Sequence, residues 1–170
     1  MLRLRPFKLC DAPYLLKWFH DEKSFAMWSA NKFTYPLTLE QIVDYKNRFD
    51  EDPNAWTFIA LNEAGTPVGH FSMRNADYEK QSIHLGFIVV DSNCRGKGYG
   101  KEMVSLAIQY ATDILKMSRI TLGVHGDNEA AHNCYKSVGL VDEAFHPAFF
   151  EYKDEKLDFY DMAYTKNLAN

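Results

Sequence analysis

Residues 95–100 read Arg95-Gly96-Lys97-Gly98-Tyr99-Gly100, and what flanks them limits the folds open to this chain. Upstream, Ile83 to Val90 is a short apolar run rich in β-branched residues, which predicts a strand. Downstream, Met103, Ala107, Tyr110 and Ile114 recur at helical spacing. A strand passing into a helix through alternate glycines is an α/β unit with an open turn. The glycines leave backbone N–H groups uncovered. The helix adds its unpaired N–H groups and the positive end of its dipole. Arg95, Lys97 and Lys101 add formal positive charge. The combination is suited to a phosphate or pyrophosphate.

Two common phosphate loops do not fit. A P-loop requires Gly-Lys followed by Ser or Thr, whereas Gly96-Lys97 precedes Gly98 and Gly100-Lys101 precedes Glu102. The dinucleotide fingerprint has a different glycine spacing and needs an acidic residue ending a second strand, but Asp113 falls on the predicted helix.

A second motif, Asn128-Glu129-Ala130-Ala131-His132-Asn133-Cys134-Tyr135-Lys136-Ser137-Val138-Gly139, follows another alternating strand, Ile120 to Val124. Asp127 or Asn128 can cap its helix, and Gly139 suits the position just past the end. The ordered pair, Arg-x-x-Gly-x-Gly and then Asn-x-x-Ala-x-x-x-Tyr-x-x-x-Gly, resembles the GNAT superfamily of acyl-CoA-dependent N-acyltransferases. Within that superfamily the chain is most similar to the branch holding ribosomal-protein N-terminal and small-amine acetyltransferases.

The remaining elements agree with that resemblance. Leu2 to Arg5 predicts an opening strand, and Asp11 with Pro13 predicts a helix through Phe19. Thr38-Leu39-Glu40-Gln41 is a capping box for a helix to about Phe49. Trp56–Leu61, Val68–Met73 and Gln81–Val90 read as an antiparallel meander. Ala144–Tyr152 and Asp158–Thr165 read as a closing hairpin. The order β-α-α-β-β-β-α-β-α-β-β predicts an α/β fold, a mixed and mostly antiparallel sheet flanked by helices. We expect one domain over residues 1–170.

Composition narrows the function. A net charge of −4 with no Lys/Arg run argues against a nucleic-acid partner. No stretch of 18 apolar residues predicts a membrane span, and Met1 to Pro6 is not followed by the apolar core of a signal peptide. Cys10, Cys94 and Cys134 are widely spaced and the six histidines show no ligand spacing, so we expect a cytoplasmic protein with no metal.

The resemblance implies the rest. Acetyl-CoA would be the cosubstrate, inserted between splayed strands, with the backbone of Ile88 at the thioester carbonyl and that of Val90 on the pantetheine. Arg95, Gly96, Lys97, Gly98, Tyr99, Gly100 and Lys101 would hold the pyrophosphate. Asn128 would bond the pantetheine arm, and Ala131 would keep its helix close. Tyr135 would protonate the leaving thiolate. His84 stands where several family members carry a glutamate and is the candidate base, with His70 a weaker one. Alternation puts His84 and Gly86 on one strand face and Leu85, Phe87 and Val89 on the other. Trp18, Trp28, Phe33 and Tyr35 are candidates for the acceptor wall. The acceptor is expected to be a primary amine, either a small molecule or a peptide N-terminus, attacked directly with no acyl-cysteine at Cys134 or Cys94. A non-catalytic CoA-binding or sensing domain is the alternative. The oligomeric state is open between monomer and homodimer.

Overall fold

The computed structural model describes residues 1–166. Seven strands form one sheet in the order β1-β2-β3-β4-β5-β7-β6. In chain order these are β1 (Arg3–Pro6), β2 (Trp56–Leu61), β3 (Pro67–Asp77), β4 (Ser82–Val90), β5 (Arg119–His125), β6 (Val141–Tyr152) and β7 (Glu155–Thr165). All neighbours pair antiparallel except β4 and β5. The helices are α1 (Ala12–Leu15), α2 (Glu22–Ser29), α3 (Leu39–Glu51), α4 (Tyr99–Gln109) and α5 (Glu129–Ser137). This is the expected mixed, mostly antiparallel architecture with helices on both faces.

The two faces bury separate cores. On one, α4 and α5 cover Phe58, Phe71, Ile83, Leu85, Ile120 and Leu122, with Met103, Ala107 and Tyr135 supplied by the helices. On the other, α1 and α3 cover Ile59 and Val89 with Ala12, Leu15 and Ile42. Alternation along β2 explains the division, since Phe58 and Ala60 face one core and Ile59 the other. Beyond Gln109, α4 widens into a π turn over Tyr110–Ile114 that carries the buried Ala111.

Four local details differ from the sequence reading. The helix expected from Asp11 to Phe19 closes after Leu15 and passes into turns. The helix α2 is additional; Asp21 caps it, its carboxylate accepting from the Ser24 N–H at 2.8 Å. The closing hairpin is longer than expected, with Tyr152 opposite Glu155 across a two-residue turn. Finally, β4 does not alternate throughout. Phe87 has φ +49° and, with Ile88, has no register partner on β3, where Ser72 faces Gly86 and His70 faces Val89. This bulge reverses the parity of the strand. Phe87 therefore joins His84 and Gly86 on the α2–α3 face, against Trp28, Phe33 and Tyr45, while Ile88 and Val90 join Leu85 on the α4 face. The expected grouping of Phe87 with Leu85 and of Leu85 with Val89 is corrected accordingly.

Candidate active site

The parallel strands β4 and β5 stay in register only from Ser82 to His84 against Arg119 to Thr121. Beyond that point they part, and a cleft of about 610 Å³ opens between them. A parallel pair is held together by its ladder, so the ladder's end leaves two strand edges facing the gap. The bulge at Phe87 and Ile88 lies on the β4 edge, where two residues have no ladder partner on either side.

The glycine loop closes one end of the cleft. Gly96 (φ +76°) and Gly98 (φ +79°) adopt left-handed backbone, and a Cβ on either would meet nothing within 4 Å. Neither glycine is needed to avoid a packing clash; each is needed for the turn and leaves the loop surface bare. Gly98 is also the N-cap of α4 and carries no side-chain cap, so the first-turn N–H groups of α4 are left for a ligand. On the opposite wall, Asn128 lines the cleft; its Oδ1 accepts from the Ala131 N–H at 3.3 Å and caps α5, which leaves its amide NH2 free to donate. An anionic, amide-bearing ligand suits these walls.

Residues 1–141 match the family model for the acetyltransferase (GNAT) domain. The chain belongs to the GNAT acetyltransferases. It is 25% identical to the N-acetyltransferase 9-like protein of Caenorhabditis briggsae, covering 87% of this chain and 78% of that one. It is also 25% identical to the alpha/beta-tubulin-N-acetyltransferase 9 of Drosophila melanogaster, covering 87% and 81%. The crystal structure of the Vibrio cholerae spermidine N-acetyltransferase in complex with CoA and spermine superposes with a TM-score of 0.85 at 19% identity, over 97% of this chain and 95% of that one. This protein is thus an N-acetyltransferase, transferring acetyl to an amine, and the family's acetyl donor is acetyl-CoA.

Most of the residues singled out in the sequence meet at this GNAT cleft. Ile88, Val90, Arg95, Gly96, Gly98, Tyr99, Gly100, Lys101, Asn128, Ala131 and Tyr135 all line it. Lys97 and His84 do not. Lys97 is exposed on the loop, outside the cleft lining. His84 sits behind the cleft on β4, its Nδ1 2.9 Å from the Thr121 Oγ1. Thr121 Oγ1 in turn lies 3.5 Å from the Ile83 carbonyl, to which it donates. The Thr121 hydroxyl then accepts from His84 Nδ1–H, and Nε2 is the ring's free acceptor. Burial, then the charges of Arg74 and Lys32, push the His84 pKa down to about 4.

Tyr135 is 7% exposed, and burial raises its pKa, so the phenol stays protonated at neutral pH. Its hydroxyl has no hydrogen-bond partner among the described residues. Burial also raises the Cys134 thiol, which makes it a poor nucleophile. His70 is sealed in the core, its Nε2 2.9 Å from the Tyr45 hydroxyl and its pKa pushed down to about 3 by burial.

Helix α2 is the part of the site that sequence reasoning missed. Asp21, Ser24, Met27 and Trp28 come from it to the cleft. Its signal was the acidic cap three residues before Ser24. His125 was also passed over; it donates Nε2–H to the Met27 carbonyl at 3.1 Å and so ties α2 to β5. Of the expected acceptor wall, Trp18 and Trp28 line the cleft, while Phe33 and Tyr35 line a smaller hollow beside it. Among the described residues no group of three His, Cys, Asp or Glu is placed to hold a metal, and no helix is long and apolar enough to cross a membrane.

Proposed function

We propose that this single-domain chain acetylates a primary amine by direct attack, with acetyl-CoA and amine bound together in the cleft. The observation that carries the reading is the parting of β4 from β5 beside a protonated, unpartnered Tyr135 hydroxyl. Bound acetyl-CoA supplies an acetyl group activated as a thioester. The N–H groups from Arg95 to Lys101 hold its pyrophosphate, with Arg95, Lys97 and Lys101 adding charge. The Asn128 amide and the Val90 backbone orient the pantetheine, and Ala131 lets α5 approach it. The Ile88 N–H, freed by the bulge, stabilises negative charge at the carbonyl oxygen. Tyr135 holds a proton at its hydroxyl for the departing sulfur. His84 Nε2, neutral at physiological pH, takes the amine proton through water. Three free cysteines support a reducing, cytoplasmic setting.

The test is Tyr135→Phe. It should lower kcat by about 10²- to 10⁴-fold, the range for a lost general acid, with the Kd for CoA unchanged by titration calorimetry. An unchanged kcat would reduce Tyr135 to a packing residue. Relatives named for tubulin and for spermidine act on very different amines, so their names leave the acceptor open between a peptide N-terminus and a small molecule.

A further inference from the structure

Three cations on the α2–α3 face of the sheet stand without an ion-pair partner. Lys32, Arg48 and Arg74 form no ion pair with any carboxylate among the described residues. Lys32 Nζ and Arg74 Cζ each stand 5.8 Å from the centroid of the Phe87 ring, so both cations converge on one side chain at the cleft wall. Arg74 is opposite His84 in the β3–β4 register. Its head lies across Gly86, where an added Cβ would come within 3.7 Å of its Nε. Gly86 is itself part of the cleft lining. The Arg74 side chain therefore packs along the Gly86 backbone at the cleft wall.

The polar groups here are also unsatisfied. Arg74 Nε and the Ser72 hydroxyl are buried with no hydrogen-bond partner. Burial, then Arg74 and Arg48, hold the Lys32 ammonium below the usual lysine value, and burial lowers Arg74 too. A half-buried guanidinium without a counter-ion is unfavourable in the free protein and becomes favourable when an anion arrives.

We propose that the acceptor is an amine that also carries a carboxylate or comparable anion, and that Arg74 and Lys32 bind that anion while Phe87 and Trp28 hold the apolar stretch between. This rests on the acetyl-transfer reading above. Arg74 pairs with His84, about 5 Å away on the neighbouring strand, and its head lies beside Gly86, two residues before Ile88, so an anion at Arg74 on an acceptor several bonds long leaves the amine in reach of both. A polyamine, whose additional ammonium groups would meet like charge here, is disfavoured.

Thiol release from acetyl-CoA, measured with acceptors that differ in charge, tests this. One arm compares 6-aminohexanoate with 6-aminohexanamide and spermidine; the other compares the peptides Met-Glu-Glu-Leu, Met-Gln-Gln-Leu and Met-Lys-Lys-Leu as C-terminal amides. The anionic member should lead in kcat/KM by about tenfold or more in at least one arm, which also separates a small-molecule from a peptide source. Arg74→Gln should reduce that preference to within about threefold, and Arg74→Lys should restore part of it, with the Kd for CoA unchanged. Should Arg74→Gln lose CoA binding through misfolding, Lys32→Gln, at an exposed position, carries the same comparison. Neutral or cationic acceptors leading in both arms would overturn the anion proposal while leaving acetyl transfer intact. No thiol release with any acceptor would overturn both.

Discussion

His84 is set by its neighbours. An unperturbed histidine titrates near pH 6.5, and a base with that value would give kcat/KM an ascending limb across neutrality. Here burial and two nearby cations bring the pKa down to about 4, so the ring is already neutral at every pH above about 5. The expected profile between pH 6 and 9 therefore follows the acceptor amine alone. His84→Ala should lower kcat/KM by about tenfold or more across that range without changing the profile's shape. A limb near 6.5 present in the wild type and absent in the variant would show that the charges around the ring are weaker than the geometry indicates. Superimposable profiles would remove His84 from the mechanism. The Tyr135 phenol is governed by the same burial with the opposite formal result, because for an acid burial keeps the proton on.

At the scale of elements, the loop from Arg95 to Gly100 makes the most direct prediction. A side chain at Gly98 would meet no protein atom within 4 Å but would stand in the ligand's space on a backbone with φ +79°. Gly98→Glu should abolish CoA binding through bulk and charge, at a stability cost of about 1 kcal/mol from the left-handed backbone. Calorimetric titration beside a thermal melt separates the two effects, and wild-type affinity would refute the cradle. This loop was legible in the sequence because three glycines next to two basic residues have few other uses. So was Trp56–Leu61, a β-rich run with clear ends, found with the expected bounds. The bulge in β4 was not legible, because alternation assumes an unbroken pleat and nothing in Gly86-Phe87-Ile88 announces a positive φ at Phe87. The helix α2 escaped because its apolar residues, Phe25, Ala26, Met27 and Trp28, are consecutive and form no helical stripe. Arg74 was invisible as a site residue for another reason: its importance lies in having no partner, and partners are a property of the fold.

At the scale of the whole molecule, acid sensitivity follows from the buried histidines. His70, fully buried, has its pKa pushed down to about 3, and His84 has its own near 4. Both fall below the unfolded value of about 6.5, so as pH drops through 6.5 the unfolded chain takes up protons that the native state refuses. Stability is therefore lost on the acid side, and at pH 5.5 His70 alone accounts for roughly 1 kcal/mol. Lowered carboxylates such as Asp11 and Asp142 act in the same direction only at lower pH, near their own unfolded values. Tm should fall by several degrees from pH 7.5 to pH 5.5, and calorimetric scans at the two pH values check it. A flat Tm across that window would mean that the interior admits the charge after all.

The short ladder between β4 and β5 has a mechanical consequence. Only three residue pairs join a four-stranded half of the sheet to a three-stranded half. An extended, amide-bearing guest lying in the gap would act as a splice, offering each orphaned edge the hydrogen bonds that the other strand withholds. The protein should therefore stiffen far beyond the atoms its ligand touches. Saturating CoA should slow amide hydrogen exchange along both Ile88–Val90 and Gly123–His125, and raise Tm as ligand concentration exceeds Kd. Protection confined to the glycine loop would mean that the two halves remain independent, with the ligand held by its phosphates alone.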